Sequence, residues 1–288
     1  MKNLIHLSDY TLEDVENIFT LADELEKNKI HDVLKGKTVV IFFPPESVHM
    51  RLSFEKGVKM LGGQVVNFDS SILTSVGSVQ DFVAYLNNWA DVIIIRYPDI
   101  SFLETMSLYS NAPVINAMTD DNHPVEVLSD LYELTKMYPD YITKKFLYVG
   151  LDNGVGKAWK EAADFFNLDL IQSAPEAYKL DGIDLEKNLS KAIQDKDVII
   201  SSPIRIHEIH DEYQINLPLL QQANDGALFM PVAPFFRGGD VSEDAINSEY
   251  FVGHSFKSSL LEVGQAVIIY NLYETYIQQG ISYREGLE

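Results

Sequence analysis

The sequence predicts the α/β fold class, with two doubly wound parallel-sheet domains. Two observations support this prediction. Short β-branched or aromatic runs alternate with segments of helical period, which is typical of βαβ units around a parallel sheet. The chain also has 288 residues, of which 46% are hydrophobic, and this is more apolar material than a single core of typical size accommodates.

The alternation predicts the order of elements in the first domain. Strands are expected at 38–43, 65–68, 92–96 and 114–116, and helices at 51–61, 79–88 and 100–110. A further helix is expected at 124–138, because Pro124 suits the first turn of a helix.

The same alternation resumes in the second half of the chain. Strands are expected at 145–149, 168–172 and 198–201, with helices at 155–166 and 260–277. The predicted domains are therefore 1–139 and 140–259, and the last segment, 260–288, is expected to be a helix that packs back on the first domain.

Composition excludes several classes of partner. The formal net charge of −21 repels nucleic acids and anionic membranes, and no cluster of lysine or arginine overrides it. The absence of cysteine excludes disulfides and thiolate metal sites, and we expect neither a metal nor a cofactor. His6, Asp9 and Glu13 interrupt the first apolar segment before a signal-like run develops, so we expect a cytoplasmic protein.

Candidate functional residues lie in the loops that follow predicted strands, because parallel sheets bind ligands beyond the carboxyl ends of their strands. The loops of interest are 44–51, 96–98, 116–124 and 230–239. In the first of them, Ser47, His49 and Arg51 precede or open a helix, where hydroxyl, imidazole, guanidinium and backbone N–H groups could bind one anion. The alternative is an N-cap at Ser47 with solvated His49 and Arg51.

Three other polar residues are candidates, each with a structural alternative. Arg96 ends an apolar strand, where a charge is better placed for a ligand than for the core, although a surface arginine would look the same. His123 precedes Pro124 and could polarise a carbonyl or hold a proton, or could simply be solvated. Arg237 precedes two glycines that admit a ligand or form a plain turn.

Two further patterns imitate known motifs. The glycines at 150–156 follow a predicted strand, but their order is GxxxGxG and not the GxGxxG of dinucleotide-binding loops. His207 and His210 are three residues apart and lack the HExxH arrangement of zinc enzymes, which favours a solvated loop over a metal site.

The loops together resemble those of the ornithine carbamoyltransferases, in the aspartate/ornithine carbamoyltransferase family. The ordered set of matching stretches carries the resemblance, and it covers essentially the whole chain. These stretches are Leu-Lys-Gly-Lys-Thr at 34–38, Arg-Leu-Ser-Phe-Glu at 51–55, Leu-Gly-Gly at 61–63, Pro-Val-Ile-Asn at 113–116, Thr-Asp at 119–120, His-Pro at 123–124, and 229–238 from Phe-Met to Arg-Gly.

The resemblance implies two α/β domains joined by crossing helices, one binding carbamoyl phosphate and the other an amino-acid-like small molecule. It also implies a homotrimer, with the loop 74–78 reaching the neighbouring subunit. The family reaction is attack of an amine on the carbonyl carbon of carbamoyl phosphate, with expulsion of phosphate. The implied catalytic residues are Arg96, His123 and Arg237, and the implied substrate-binding residues are Ser47, Val48, His49, Met50, Arg51, Glu126, Asn153, Ser202, Val232 and Ala233.

Several of these positions depart from the family pattern. The Ser-Thr-Arg-Thr-Arg phosphate loop is Ser-Val-His-Met-Arg at 47–51, which predicts a weakened phosphate cradle. His-Pro-Cys-Gln becomes His-Pro-Val-Glu at 123–126, so a carboxylate that could bind an amino or amidinium group replaces a neutral amide. The ornithine-binding segments become Ser-Ser-Pro-Ile at 201–204 and Pro-Val-Ala-Pro at 231–234, which indicates a different second substrate.

The sequence therefore supports two hypotheses of different classes. The first is a divergent carbamoyltransferase that moves a carbamoyl group from carbamoyl phosphate to an amine or amide of an amino-acid-like acceptor. The second is a catalytically silent binding or regulatory subunit with the same fold. A nucleotide-dependent enzyme using the glycines at 150–156 is a third hypothesis, and it rests on that pattern alone.

Overall fold

The computed structural model describes residues 1–27, 30–204 and 210–278. The chain forms two compact units, one made of residues 1–133 with the segment from 257 onward, and the other of residues 134–256. Each unit contains a parallel sheet with helices, which confirms the predicted pair of parallel-sheet α/β domains.

The first unit is built on a sheet whose described strands run in the order β2-β1-β3-β4, all parallel. The central strands are buried along nearly their whole length, as expected for strands covered by helices on both faces. Its elements are α1 (Leu12–Glu26), β1 (Thr38–Phe43), α2 (Val48–Met60), β2 (Gln64–Asp69), α3 (Val79–Leu86), β3 (Val92–Arg96), α4 (Ile100–Tyr109), β4 (Val114–Met118) and α5 (Pro124–Met137), with 3-10 turns at Leu7–Asp9 and Ser70–Ser75.

The second unit has a sheet whose described strands run in the order β7-β6-β5-β8-β9, again all parallel. Its elements are β5 (Lys145–Val149), α6 (Gly154–Phe166), β6 (Asp169–Ser173), β7 (Asp184–Leu185), α7 (Leu189–Ala192), β8 (Val198–Ser201), α8 (Leu217–Leu220), β9 (Leu228–Pro231) and α9 (Glu243–Ile246), with 3-10 turns at Tyr141–Thr143, Glu176–Tyr178, His210–Tyr213 and His254–Ser259.

The C-terminal helix, α10 (Leu260–Gln278), packs against α1 and α2 of the first unit. Gln265 donates a hydrogen bond from Nε2 to the Gly57 carbonyl oxygen at 2.9 Å. A Cβ at Gly57 would lie only 2.9 Å from Gln265 Cγ, so the missing side chain at residue 57 permits this close approach of the two helices.

Asp14 on α1 is the polar centre of this packing. Its buried carboxylate accepts hydrogen bonds from the Lys2 ammonium and the Tyr270 hydroxyl, and from the Thr11 backbone N–H at 2.6 Å. Burial alone would raise the pKa of Asp14, but these hydrogen bonds outweigh burial and lower the pKa from 3.8 to about 2. The carboxylate is therefore ionised in the folded protein and joins the N-terminal segment, α1 and α10.

The predicted and observed elements differ mainly at helix starts and in short elements. The helix expected from residue 51 begins at Val48, because residues 48–50 of the predicted loop already have helical geometry. The strand β9 includes Met230 and Pro231. The loop predicted at 230–239 therefore begins after residue 231. The helix α1 and the short elements β7, α7, α8 and α9 were not predicted, and the short ones contain too few residues to show a period.

The Asp14 cluster leads to a stability prediction. The difference between a pKa of 3.8 and about 2 corresponds to about 2 kcal/mol of folding stability, present above pH 4 and lost as the pH falls towards 2. We expect Asp14→Asn to lower the free energy of unfolding by about 2 kcal/mol at pH 7, measured by urea denaturation, and by roughly half of that at pH 3.

The matched control is Asp164→Asn, which removes an exposed carboxylate paired with Lys160 on one helix face. We expect this change to have little effect on stability at either pH. A loss in Asp14→Asn that is the same at pH 7 and pH 3 would contradict the role assigned to the ionised carboxylate.

Candidate functional site

Ser47 and Arg96 meet at the carboxyl ends of β1 and β3, which are adjacent in the sheet. Arg96 donates a hydrogen bond from Nη1 to Ser47 Oγ at 2.9 Å. Ser47 lies at the N-cap position of α2, but its buried hydroxyl makes no capping hydrogen bond. The hydroxyl thus orients the guanidinium instead of closing the helix, and the N-cap alternative does not describe this side chain.

The environment of Arg96 contains opposite charges. Burial lowers the pKa of its guanidinium below the ordinary value, while Glu126 and Glu46 act in the opposite direction. Arginine remains charged under any physiological condition. Arg96 is therefore a half-buried cation with two carboxylates near enough to affect it.

The other residues of the predicted phosphate loop have different surroundings. Met50 is buried with 4% of its surface exposed, whereas Val48 is 61% exposed and His49 is also exposed. Arg51 donates a hydrogen bond from Nε to Glu55 Oε1 at 2.9 Å, one helical turn further along α2. The structure thus brings Ser47 to Arg96, but it pairs Arg51 with Glu55 and places Met50 in the core.

His123 and Glu126 form the second contact among the predicted residues of this unit. His123 Nε2 lies 2.8 Å from Glu126 Oε2. The His123 side chain is buried, and its Nδ1 has no hydrogen-bond partner among the described residues. Glu126 thus orients the imidazole through Nε2, and Nδ1 has no partner among the described residues.

Glu126 is also bound from its other side. Lys257 donates hydrogen bonds from Nζ to Glu126 Oε1 at 2.9 Å and to Asp130 Oδ1 and Oδ2 at 2.6 and 2.8 Å. The amino group that binds Glu126 in this structure is therefore the side chain of Lys257. His123 and Asp130 are buried, and Glu126 and Lys257 are partly buried. We call these four residues the buried charge cluster.

The pKa values of the buried charge cluster follow from burial and mutual attraction. Burial would raise the pKa of Glu126, but Lys257 and His123 outweigh it and hold that pKa well below its ordinary value. Burial raises the pKa of Asp130 to about 6, with Lys257 lowering it and Glu126 raising it. Burial would lower the pKa of Lys257, but the two carboxylates raise it above its ordinary value.

Sequence reasoning missed Asp130 and Lys257. Asp130 lies four residues after Glu126 on α5, so the helical period could have identified it. Lys257 lies 131 residues after Glu126, and no local pattern connects the two. Only the folded chain shows that the carboxylate at 126 has a cation beside it.

In the second unit, Asn153 and Ser202 lie at the ends of the neighbouring strands β5 and β8. Asn153 is the N-cap of α6, and its Oδ1 accepts hydrogen bonds from the backbone N–H groups of Val155 and Gly156 at 3.1 Å. Its Nδ2 donates to Ser202 Oγ at 3.2 Å. The two predicted residues are therefore joined, and Asn153 also has an ordinary capping role.

Tyr148 explains the glycine pattern after β5. A Cβ at Gly150 would lie 2.6 Å from Tyr148 Oη, and one at Gly156 would lie 2.7 Å from Tyr148 Cε1. The Tyr148 hydroxyl lies 3.1 Å from both the Leu151 carbonyl oxygen and Asn153 Oδ1. The two glycines make room for this buried ring, which accounts for them without a nucleotide.

The predicted site residues of the loop 232–239 make no side-chain contact with the other predicted site residues among the described contacts. Val232 is buried and donates its backbone N–H to the Ser201 carbonyl oxygen at 2.8 Å, whereas Ala233 is exposed. Arg237 is exposed and donates from Nη1 to Glu243 Oε2 at 3.1 Å. Gly238 has a φ of +77°, and no atom lies within 4 Å of the position that a Cβ would take. This geometry agrees with a plain turn, which was the alternative to a ligand contact at these glycines.

The described part of the chain has neither a cluster of metal ligands nor a membrane-spanning helix. It contains no group of three or more histidine, aspartate or glutamate side chains that could hold a metal ion. None of its helices is both long and apolar enough to cross a membrane. His207 lies outside the described residues, so the histidine pattern of that segment has no structural description.

These observations define a two-domain α/β protein with polar side chains at the carboxyl ends of its parallel strands. Comparison with known proteins shows which family it resembles. Residues 2–136 match the family model of the aspartate/ornithine carbamoyltransferase, carbamoyl-P binding domain. An ornithine carbamoyltransferase of Hydrogenovibrio crunogenus is 29% identical over 296 residues, covering 94% of this chain and 98% of the relative. These matches support the resemblance to the aspartate/ornithine carbamoyltransferase family that the motifs predicted.

Solved structures agree with this assignment. The ornithine carbamoyltransferase of Pyrococcus furiosus has a TM-score of 0.86 and 26% identity, and the match covers 93% of this chain and 96% of that one. The ornithine carbamoyltransferase of Thermus thermophilus has a TM-score of 0.87 at 21% identity, covering 94% of this chain and 99% of that one, and is similar in fold.

The packing of Tyr148 against glycine leads to a testable prediction. Gly150→Ala places a methyl group into the ring and hydroxyl of a buried tyrosine, so we expect a loss of about 1–3 kcal/mol in the free energy of unfolding. Urea denaturation measures it. Gly77→Ala is the matched control, because nothing lies within 4 Å of that position, and its stability should hardly change. Equal stability of the two variants would refute the packing explanation.

Proposed function

We propose that this protein is a divergent carbamoyltransferase that transfers a carbamoyl group from carbamoyl phosphate to an amine or amide of an amino-acid-like acceptor. The observation that carries the proposal is the hydrogen bond between Arg96 and Ser47 at the ends of β1 and β3. These residues lie in the segment that matches the carbamoyl-phosphate-binding model. A cation and a hydroxyl held together at the edge of a parallel sheet suit an anionic ligand.

Arg96, Ser47 and the start of α2 are proposed to bind the phosphate. The guanidinium has five N–H donors, and the contact with Ser47 uses only one of its nitrogens. The first backbone N–H groups of α2 add the positive end of a helix dipole. Charge neutralisation at the phosphate lowers the barrier to its departure, which is the main demand of this reaction on the protein.

His123 is proposed to act on the carbonyl oxygen. A carboxylate can only accept hydrogen bonds, so the proton between Glu126 and His123 lies on Nε2 of the imidazole. Nδ1 can then donate to an oxygen only when both ring nitrogens carry a proton. Glu126 thereby orients the imidazole by accepting a hydrogen bond from Nε2–H.

Asn153 and Ser202 are proposed to lie near the second substrate. They are joined side chain to side chain at the ends of β5 and β8, where a parallel sheet binds ligands. An amide and a hydroxyl recognise the amino and carboxylate groups of an amino acid through hydrogen bonds. Arg237, with Val232 and Ala233 before it, is kept as a proposed contact from the late loop.

A catalytically silent binding subunit is the alternative, and a specific observation favours it. Glu46 and Glu126 both act electrostatically on Arg96, so negative charge surrounds the main phosphate-binding cation. Met50 is buried and Val48 has no polar atom in its side chain, so neither offers the hydroxyl of the family loop. These features weaken the binding of a dianion.

A homotrimer is proposed for the assembly, with the first unit forming the contacts. Several of its apolar side chains are exposed, among them Phe68 at 41%, Tyr85 at 68% and Trp89 at 68%. The loop 75–78 lines a groove of about 390 Å³ together with Ile72 and Tyr85. Exposed apolar surface of this kind is typical of subunit interfaces.

The proposed function is tested first by binding. We expect calorimetric titration to detect carbamoyl phosphate binding, and Arg96→Met to weaken it about 10- to 100-fold, because one charge-assisted hydrogen bond contributes about 1.5–3 kcal/mol. Lys37→Met is the matched control, since Lys37 pairs with Asp91 in the same unit, and it should bind normally. Product formation is then measured with a panel of amino acids, diamines and amides. A folded protein that neither binds carbamoyl phosphate nor forms product would favour the silent subunit.

The assembly leads to a separate prediction. Light scattering after size-exclusion chromatography should give three times the chain mass of 32.6 kDa. We expect the double change Tyr85→Asp and Trp89→Asp to produce monomers, because charged groups in an apolar interface are costly. Leu108→Asp, at an exposed position on α4, serves as a control for added surface charge. A monomeric unmodified protein would exclude the trimer.

A further inference from the structure

The buried charge cluster connects Lys257 to His123 through one carboxylate. Lys257 Nζ lies 2.9 Å from Glu126 Oε1, and Glu126 Oε2 lies 2.8 Å from His123 Nε2. The two oxygens of one carboxyl group are thus bound by two different side chains. Any movement of Lys257 changes the position or charge of the group that holds the imidazole.

Asp130 fixes the other side of Lys257. Both of its carboxyl oxygens lie within 2.8 Å of Lys257 Nζ, and only 3% of its side chain is exposed. The hydroxyls of Ser129 and Ser259 are also 3.1 Å apart, which joins α5 to the turn at His254–Ser259 next to Lys257. The ammonium is therefore held in one place from two sides.

The charges of the cluster make Lys257 necessary for Glu126. A buried carboxylate without a cation is strongly unfavourable and becomes neutral or moves. His123 and Arg96 also act on Glu126. His123 is the side chain that Glu126 orients, and Arg96 is bound to Ser47 and also acts on Glu46. The family pattern has a neutral amide at position 126, so the carboxylate found here requires a cation that an amide does not.

We propose that Lys257 is a positioning residue for carbamoyl transfer, which keeps the Glu126 carboxylate ionised and in place so that Glu126 orients His123. This inference rests on the proposed function, because the oriented imidazole matters for the carbonyl oxygen of carbamoyl phosphate. Lys257 itself touches neither substrate in this proposal.

The decisive comparison is between carbamoyl phosphate and inorganic phosphate. Inorganic phosphate has no carbonyl oxygen, so its binding depends on Arg96 and Ser47 but not on the orientation of His123. We expect Lys257→Met to weaken carbamoyl phosphate binding about tenfold, the effect of roughly one lost hydrogen bond, and inorganic phosphate binding less than twofold. Lys37→Met is again the matched control and should change neither affinity.

A second variant separates positioning from a general loss of structure. In the double variant Glu126→Gln with Lys257→Met, the residue at 126 is neutral and no longer requires a cation. Asp130 can become neutral by taking up a proton, since burial raises its pKa to about 6. We expect carbamoyl phosphate affinity in this double variant to return to within about threefold of the unmodified protein.

The imidazole signal of His123 gives a reading that is independent of ligand binding. In protein labelled with ¹⁵N-histidine, we expect a slowly exchanging Nε2–H signal that disappears in His123→Asn and shifts in Lys257→Met but not in Lys37→Met. If carbamoyl phosphate does not bind the unmodified protein, the proposed function fails, and a shifted signal still supports the positioning of His123 by Lys257. An unchanged signal, or equal losses of both phosphate ligands without rescue in the double variant, overturns the inference.

Discussion

Parallel pairing of β1 with β3 decides where the polar side chains of the first unit can meet. Val39 pairs with Val92 at one end of the two strands, and Phe42 pairs with Ile95 at the other. The segments that follow β1 and β3 therefore leave the sheet at the same edge. Ser47 and Arg96 are 49 residues apart in sequence, yet this register brings their side chains within 2.9 Å. The strand interiors are apolar and buried, so the polar side chains lie at the strand ends or beyond them.

The balance of charge around that edge depends on pairs that span the sequence. Glu126 lies between His123 and Lys257, and each of its carboxyl oxygens contacts one of them. Asp130 completes the set by holding Lys257 from the other side. The carboxylate at 126 is thus paired with a cation that lies 131 residues further along the chain.

The second unit shows how local packing can imitate a functional motif. Gly150 and Gly156 follow a strand, as glycines do in nucleotide-binding loops, but their missing side chains make room for the buried ring of Tyr148. The sequence shows the spacing of the glycines but not the packing of the Tyr148 ring against them. The capping of α6 by Asn153 is similar, because one side chain closes a helix and also contacts Ser202.

The amino-acid sequence by itself determined the two parallel-sheet α/β domains, the family and most of the long elements, because hydrophobic periodicity and ordered loop motifs are local properties. It also indicated Ser47, Arg96 and His123, since residues at strand ends follow from the strand positions, and the family resemblance indicated Glu126. Only the tertiary structure showed that Met50 is buried, that Arg51 binds Glu55, and that Lys257 holds Glu126. Contacts and charge compensation between distant residues depend on how the elements pack, and no local pattern records them.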